Sequence, residues 1–189
     1  KVVHKSKQPL VVLMGGGKIT DKIAMMATVL KKADIVLLGG VLATHFFKAM
    51  GYGVGASRME AEGVRLAKKL LGNKKIMLPT DVVIGTAAGK GARVVPVPEK
   101  KNTSPYTLAP SPSGIWDIGP QTILEFARQI KRAKTLIWNG PMGLYEVKKY
   151  SHATLALGRL FASRAKGKAF GVVGGGETID ALKQTGLGE

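Results

Sequence analysis

Short apolar runs that end in glycine clusters constrain this chain more than any other feature. The first run, Val11-Val12-Leu13-Met14, leads into Gly15-Gly16-Gly17 and then into an amphipathic segment. Glycine lacks the Cβ atom that would keep a phosphate away from the main chain, and the start of a following helix presents unpaired N–H groups. The pattern predicts a strand, a phosphate-sized loop and a helix, or else an ordinary tight turn between strand and helix.

Two lysines follow these glycines. Lys18 and Lys22 stand four residues apart, so on a helix they share one face and present two ammonium groups to one anion. Asp21 lies between them, so a structural ion pair is the alternative for one of them. The segment matches neither the P-loop nor the Gly-x-Gly-x-x-Gly dinucleotide motif, which argues against a nicotinamide-dependent dehydrogenase.

Apolar runs of strand length alternate with amphipathic runs of helix length. Several strands are apolar on both faces, which is typical of a parallel sheet covered by helices on each side. The pattern predicts one α/β domain, a doubly wound, mostly parallel sheet in a Rossmann-like three-layer sandwich. The predicted strands are 10–14, 34–38, 75–78, 81–84, 92–97, 134–138 and 169–173. The predicted helices are 18–31, 42–50, 59–71, 121–131, 151–163 and 177–185, and the proline-rich stretch 98–114 is predicted to be a surface loop.

Three further glycine turns follow predicted strands. They are Gly39-Gly40, Asn139-Gly140-Pro141-Met142-Gly143 and Gly174-Gly175-Gly176. Ligands of open α/β sheets bind at the carboxyl ends of the strands, so the four turns are expected to converge on one edge. Together they indicate a nucleotide or phosphate site.

The charge of the chain favours anionic partners. Lysine and arginine number 29 against 12 aspartates and glutamates, a net charge of +17. Nucleic acid is therefore a possible partner, although the basic residues come mostly in short clusters at predicted helix ends, where the helix dipole favours cations. The chain has no cysteine, which excludes disulfides and thiolate metal sites, and its apolar runs are too short to cross a membrane. We expect a soluble cytoplasmic protein.

In this order the motifs resemble the C-terminal nucleotide-binding domain of phosphoglycerate kinase, over almost the whole of residues 1–189. Trp138-Asn139-Gly140-Pro141-Met142-Gly143 is highly distinctive of that family. The resemblance implies a glycolytic kinase that transfers a phosphoryl group reversibly between 1,3-bisphosphoglycerate and ADP, giving 3-phosphoglycerate and ATP, with Mg²⁺ as cofactor. The other segments that carry it are Met14 to Ile23, Leu38-Gly39-Gly40, Leu78 to Val83, Asp117-Ile118-Gly119-Pro120 and Gly174 to Thr178.

The resemblance also implies roles for individual residues. Lys18 and Lys22 would be the catalytic lysines, which bind the nucleotide's phosphates and the group in transfer. Glu146 would accept hydrogen bonds from the ribose hydroxyls. Glu177 would hold Mg²⁺ in place of the family's usual aspartate, or else serve only as a charge partner for the helix start. The implied nucleotide-binding residues are Gly16, Gly17, Lys18, Lys22, Gly40, Asn139, Pro141, Gly143, Glu146, Gly175, Gly176, Glu177 and Thr178.

Other positions depart from the family's pattern. Val41 replaces a glycine, Ile115-Trp116 replaces a Gly-Leu pair, and Arg58 stands where an apolar residue often packs on the base, so base preference is open. By the same resemblance, the N-terminal domain that binds phosphoglycerate is absent, and the chain stops before the family's final glycine-rich motif. We therefore expect a monomer that binds Mg-ATP or Mg-ADP and is weakly active or inactive alone. The alternative is a stand-alone module that binds nucleotides or polyanions.

Overall fold

The computed structural model describes residues 6–17, 19–99 and 106–184. The strands are β1 Leu10–Met14, β2 Ile35–Leu38, β3 Ile76–Met77, β4 Asp81–Gly85, β5 Arg93–Pro96, β6 Gly114–Ile118, β7 Thr135–Asn139 and β8 Phe170–Gly174. The α-helices are α1 Ile19–Lys32, α2 Gly40–Ala49, α3 Ala61–Leu70, α4 Pro120–Arg132, α5 His152–Ala165 and α6 Gly176–Lys183. Among these described helices, none has the length and apolarity needed to cross a bilayer.

Five strands form one parallel sheet in the order β3-β2-β1-β7-β8. The chain moves outward from β1 through β2 to β3, and on the other side from β7 to β8. The winding therefore changes direction between β1 and β7, which is where open sheets of this kind form a crevice at their carboxyl edge. The predicted α/β fold with a mostly parallel sheet is confirmed.

Helices cover both faces of this sheet. Along β1, Val12 and Met14 pack into a core shared with α1, α2 and α3. The intervening residues, Val11 and Leu13, pack on the opposite face into a core shared with α4, α5 and α6. Burial on both faces explains why this strand has no polar alternation, as expected for a strand in the middle of a parallel sheet.

A second sheet, in the order β5-β4-β6, is antiparallel. The predicted strands at 81–84 and 92–97 are present, but they belong to this small sheet rather than to the parallel one. The sequence did not predict this, because strand periodicity does not show which sheet a strand joins. The strand β6, which begins at the end of the predicted loop 98–114, was not predicted. Residues 100–105 of that loop lie outside the described residues.

Two buried aspartates fix the starts of α4 and α5. The carboxylate of Asp81 accepts hydrogen bonds from the N–H groups of Gln121 at 3.0 Å and Thr122 at 2.8 Å. Asp117 Oδ2 accepts the N–H of Ala153 at 3.1 Å. The first N–H groups of a helix lack partners within the helix, so a carboxylate from a neighbouring strand anchors each helix against the core.

Candidate functional site

The glycine turns that follow β1, β2 and β7 meet at the carboxyl edge of the parallel sheet. The N–H of Gly16 donates to the carbonyl of Pro141 at 2.8 Å, and the N–H of Gly40 donates to the carbonyl of Met142 at 2.7 Å. Gly16 has a φ of +74° and Gly40 a φ of +56°, a region that side chains with a Cβ rarely adopt. These glycines are therefore needed for one loop to pack on another, whether or not a ligand binds.

Side chains from three elements hold the turn after β7. The indole N–H of Trp138 donates to the carbonyl of Gly140 at 2.7 Å. The N–H of Gly140 donates to Thr178 Oγ1 at 2.6 Å, and the N–H of Met142 donates to Thr154 Oγ1 at 3.0 Å. Because α5 and α6 supply the two threonines, the turn takes its position from both helices and is rigid on the sheet.

A cavity of about 470 Å³ lies beside this turn, and we call it the larger cavity. It combines an ammonium group with the start of α6, where the first N–H groups of a helix attract anions. Its volume suits a small-molecule ligand. The residues around it are Lys22, Met25, Asn139, Gly140, Gly175, Gly176, Glu177 and Thr178.

Lys22 is the cation of the larger cavity. Its side chain is only 8% exposed, and its Nζ donates to the carbonyl of Gly15 at 2.5 Å. A Cβ atom added at Gly16 or at Gly140 would overlap this ammonium group. The two glycines thus leave space for the lysine side chain, in addition to allowing the backbone its positive φ angles.

A smaller cavity of about 150 Å³ adjoins the larger one, and Glu177 lines both. Its walls are largely apolar, and Glu146, Glu177 and Arg58 add two negative charges and one positive charge. Val41, Arg58, Ile115 and Trp116, which the sequence comparison above set apart from the resembling motifs, all lie on it. Its other lining residues are Gly16, Gly17, Gly40, Pro141, Gly143, Leu144 and Tyr145.

The predicted binding residues that the structure describes all line one of the two cavities. Lys18 lies outside the described residues. Around the larger cavity are Lys22, Asn139, Gly175, Gly176, Glu177 and Thr178. Around the smaller one are Gly16, Gly17, Gly40, Pro141, Gly143, Glu146 and again Glu177.

Thr178 is one of the implied nucleotide-binding residues, and both its N–H and its hydroxyl have partners within the protein. Its N–H donates to the carbonyl of Gly175 at 3.1 Å, and its Oγ1 accepts the N–H of Gly140. The side chain is fully buried. Its main contribution in this structure is to join α6 to the turn after β7.

Tyr145 lines the smaller cavity and was not predicted from the sequence. Its hydroxyl donates to Asp180 Oδ2 at 2.9 Å. Burial, the hydrogen bond to Asp180 and the charges of Glu146, Asp180 and Glu177 raise the pKa of the phenol to about 12. The sequence contained one signal for the acceptor of this bond: Glu177 and Asp180 are three residues apart, which places two carboxylates on one side of the start of α6.

Glu177 is the carboxylate shared by the two cavities, and it is exposed. Within residues 6–17, 19–99 and 106–184, no three or more His, Cys, Asp or Glu side chains form a cluster suited to a metal ion. Mg²⁺ commonly binds through one or two carboxylates together with substrate phosphates. The residues present therefore fit a metal that arrives with a nucleotide, rather than one held by the protein alone.

The phosphoglycerate kinase family matches the chain over residues 1–189. The phosphoglycerate kinase of one strain of Thermus thermophilus is 38% identical over 194 residues, which cover 100% of this chain and 47% of that protein. That of Pelotomaculum thermopropionicum is 36% identical over 194 residues, covering 99% and 46%. The chain thus spans about half the length of the curated relatives that it matches.

Solved structures give the same result. A phosphoglycerate kinase from Coxiella burnetii superposes with a TM-score of 0.81 and 32% identity, covering 97% of this chain and 46% of that one. The phosphoglycerate kinase from Pyrococcus horikoshii OT3 gives a TM-score of 0.75 and 25% identity, covering 96% and 45%. The similarity therefore extends over nearly all of the chain.

Proposed function

Since this chain belongs to the phosphoglycerate kinase family, we propose that it supplies the half of that enzyme that binds Mg-ATP or Mg-ADP. The reaction is reversible transfer of a phosphoryl group between 1,3-bisphosphoglycerate and ADP, a step of glycolysis. We assign the binding of phosphoglycerate to the half of the relatives that this chain does not match.

The larger cavity carries this proposal. A nearly buried ammonium group, Lys22, shares one cavity with the glycine turn Gly175-Gly176 at the start of α6. Cations and helix N–H groups stabilise the oxygens of a polyphosphate, and they do so more strongly where water is displaced. In the proposal, the phosphates lie in the larger cavity, with Lys22 on the group in transfer and Lys18 as its expected partner.

The smaller cavity receives the nucleoside in this proposal. Its apolar walls suit a base, and Glu146 supplies acceptors for ribose hydroxyls. Gly16, Gly17 and Gly40 let the backbone approach the nucleotide closely, and Pro141 and Gly143 line the nucleoside pocket. Because Glu177 borders both cavities, base, ribose and phosphates can lie in one continuous arrangement.

Glu177 is the residue that we assign to Mg²⁺. A metal ion on the nucleotide neutralises charge on the phosphate oxygens and orients them for transfer. The carboxylate lies at the start of α6 and lines the larger cavity, so it can reach a metal ion bound to phosphates there. The alternative is that the carboxylate serves only as a charge partner of the helix start.

Little turnover is expected of the chain alone. Phosphoryl transfer needs the acceptor held in line with the donor and water excluded from both. The two cavities account for the nucleotide in our proposal, and the acceptor depends on the other half. Adding the half of a relative that this chain does not match is expected to raise the rate.

Calorimetric titration with Mg-ADP tests the proposal. The chain is expected to bind one equivalent, and Lys22→Met is expected to weaken binding at least about tenfold, since a charge-assisted contact contributes on the order of 1.5–3 kcal/mol. Glu146→Gln is expected to weaken binding more modestly. Lys90→Met, at an exposed lysine in the turn between β4 and β5, is the matched control and should bind as the unaltered chain does. Absence of saturable binding, or an unchanged affinity in Lys22→Met, would contradict the proposal.

A further inference from the structure

The amino-terminal ends of the strands of the parallel sheet, which lie opposite the two cavities, form a strongly basic surface. It consists of five segments, 6–10, 31–35, 68–76, 131–135 and 164–170, which lead into β1, β2, β3, β7 and β8. We call them together the basic edge. Their cationic residues are Lys7, Lys31, Lys32, Lys68, Lys69, Lys74, Lys75, Lys131, Arg132, Lys134, Arg164, Lys166 and Lys168.

Hydrogen bonds show that these segments are neighbours in space. The N–H of Lys134 donates to the carbonyl of Pro9 at 2.9 Å, and the N–H of Phe170 donates to the carbonyl of Lys134 at 2.9 Å. On the other side of β1, the ammonium group of Lys75 donates to the carbonyl of Leu30 at 2.9 Å. The basic edge is therefore one continuous surface across a sheet about 19 Å wide, at about 4.8 Å per strand.

Almost no negative charge offsets these cations. Asp34 is the one carboxylate in the five segments, and its Oδ2 accepts the N–H of Leu10 at 2.7 Å. Apart from Lys75 and Arg164, the cationic residues are exposed. The central strands are five residues long, so about 16 Å of sheet separates the basic edge from the cavities.

The helix dipole explains only part of this charge. Lysine and arginine in the last turn of α1, α3, α4 and α5 stabilise the helix ends. Five exposed lysines of the basic edge lie outside the helices, where that explanation is weaker. They are Lys7, Lys74, Lys134, Lys166 and Lys168.

We propose that the basic edge binds single-stranded nucleic acid, with phosphates on its cations and an unpaired base stacked on Phe170. A row of lysines and arginines on a rigid edge attracts a phosphate backbone by releasing its counterions. Phe170 is 61% exposed at the start of β8, close to Lys134 and Lys168. An aromatic ring beside cations is the arrangement that binds unpaired bases with little sequence preference.

The single exposed aromatic ring also disfavours an anionic membrane as the partner of the basic edge. Proteins that bind a membrane through an amphipathic surface insert several apolar side chains between the headgroups. Phe170 is the one large apolar side chain that is exposed among the described residues of the basic edge. This single ring is sufficient to stack on one unpaired base.

Fluorescence anisotropy with a labelled 20-nucleotide single strand of random sequence tests the proposal. The charge-reversal variant K131E/K134E/K168E is expected to bind at least about tenfold more weakly, and to lower the slope of log affinity against log salt by about two. The control K48E/K90E/R93E reverses three exposed cations outside the basic edge and should retain most of the affinity. If the glutamate variant does not fold by circular dichroism, the glutamine variant K131Q/K134Q/K168Q replaces it.

Phe170→Leu separates stacking from charge. It is expected to weaken binding several-fold and to leave the salt slope unchanged, because no charge is removed. Equal losses in the test and control charge variants would overturn the proposal, as would tighter binding to vesicles of anionic lipid than to the single strand. Equal affinity for duplex and single strand would overturn the role of Phe170. Mg-ADP binding is expected to be unaffected in all of these variants, so this test is independent of the proposed kinase function.

Discussion

The hydroxyl of Tyr145 donates a hydrogen bond of 2.9 Å to Asp180, and this bond joins the segment that carries Glu146 to the helix that carries Glu177. Glu146 follows Tyr145 directly, and Asp180 lies three residues after Glu177. The phenol, whose pKa is raised to about 12, is protonated at neutral pH and donates this bond. The bond therefore sets the separation of the two carboxylates that we assign to ribose and metal.

Replacing Tyr145 by Phe tests this relationship. We expect the free energy of unfolding to fall by about 1 kcal/mol, the usual net contribution of a hydrogen bond. Affinity for Mg-ADP should fall several-fold, because Glu146 and Glu177 lose their fixed separation. Urea unfolding and calorimetry measure the two effects. Tyr106→Phe, at an exposed tyrosine, is the matched control, and equal effects in both variants would show that the bond has no particular role.

Thr178 offers a second test, because valine has nearly the same shape. Thr178→Val would leave the N–H of Gly140 buried without its acceptor, at a cost of about 1–3 kcal/mol in the free energy of unfolding. Thr178→Ser keeps the hydroxyl and should lose much less. Urea unfolding of the two variants decides between them, and a valine variant as stable as the serine variant would contradict the prediction.

Asp81 anchors α4 through the N–H groups of Gln121 and Thr122. Asp81→Ala removes these bonds and the one from the Thr122 hydroxyl, so the free energy of unfolding should fall by about 2 kcal/mol. Asp81→Asn retains one acceptor and should be intermediate. Thermal and urea unfolding measure the loss. An alanine variant of unchanged stability would mean that water satisfies the helix start equally well.

The features that local sequence patterns predicted are those that depend on neighbouring residues. Apolar runs and glycine turns predicted the parallel sheet and its six described α-helices. Each of these patterns is contained in a short stretch of chain, so it can be recognised without knowing the fold. The glycine turn after β1 was also predicted to be a loop, although its packing on Pro141 was not visible in the sequence.

The missed features depend on pairs that are distant along the chain. Tyr145 and Asp180 are 35 residues apart, and Asp81 and Thr122 are 41 apart. No local periodicity records which partner a side chain finds across such a distance. The membership of β4 and β5 in a separate sheet was missed for the same reason, since alternation predicts a strand but not its neighbour.

Asp117 gives the stability of the protein a specific pH dependence. Its carboxylate is 2% exposed and accepts N–H groups from Ile118 at 2.9 Å and Ala153 at 3.1 Å. Burial raises the pKa of this carboxyl well above its ordinary value, and the two N–H donors lower it only in part. The folded protein therefore binds this proton more readily than the unfolded chain does.

The sign of the effect follows from that difference. Stabilisation from protonated Asp117 is fully present below the ordinary aspartate pKa of about 4, and it is lost as pH rises through the higher pKa of the folded state. We expect the free energy of unfolding of the unaltered chain, relative to that of Asp117→Asn, to decrease as pH rises from about 4 toward neutrality. Urea unfolding of both proteins at a series of pH values measures this difference. A difference that increases with pH would mean that the two N–H donors outweigh burial and hold the carboxylate charged.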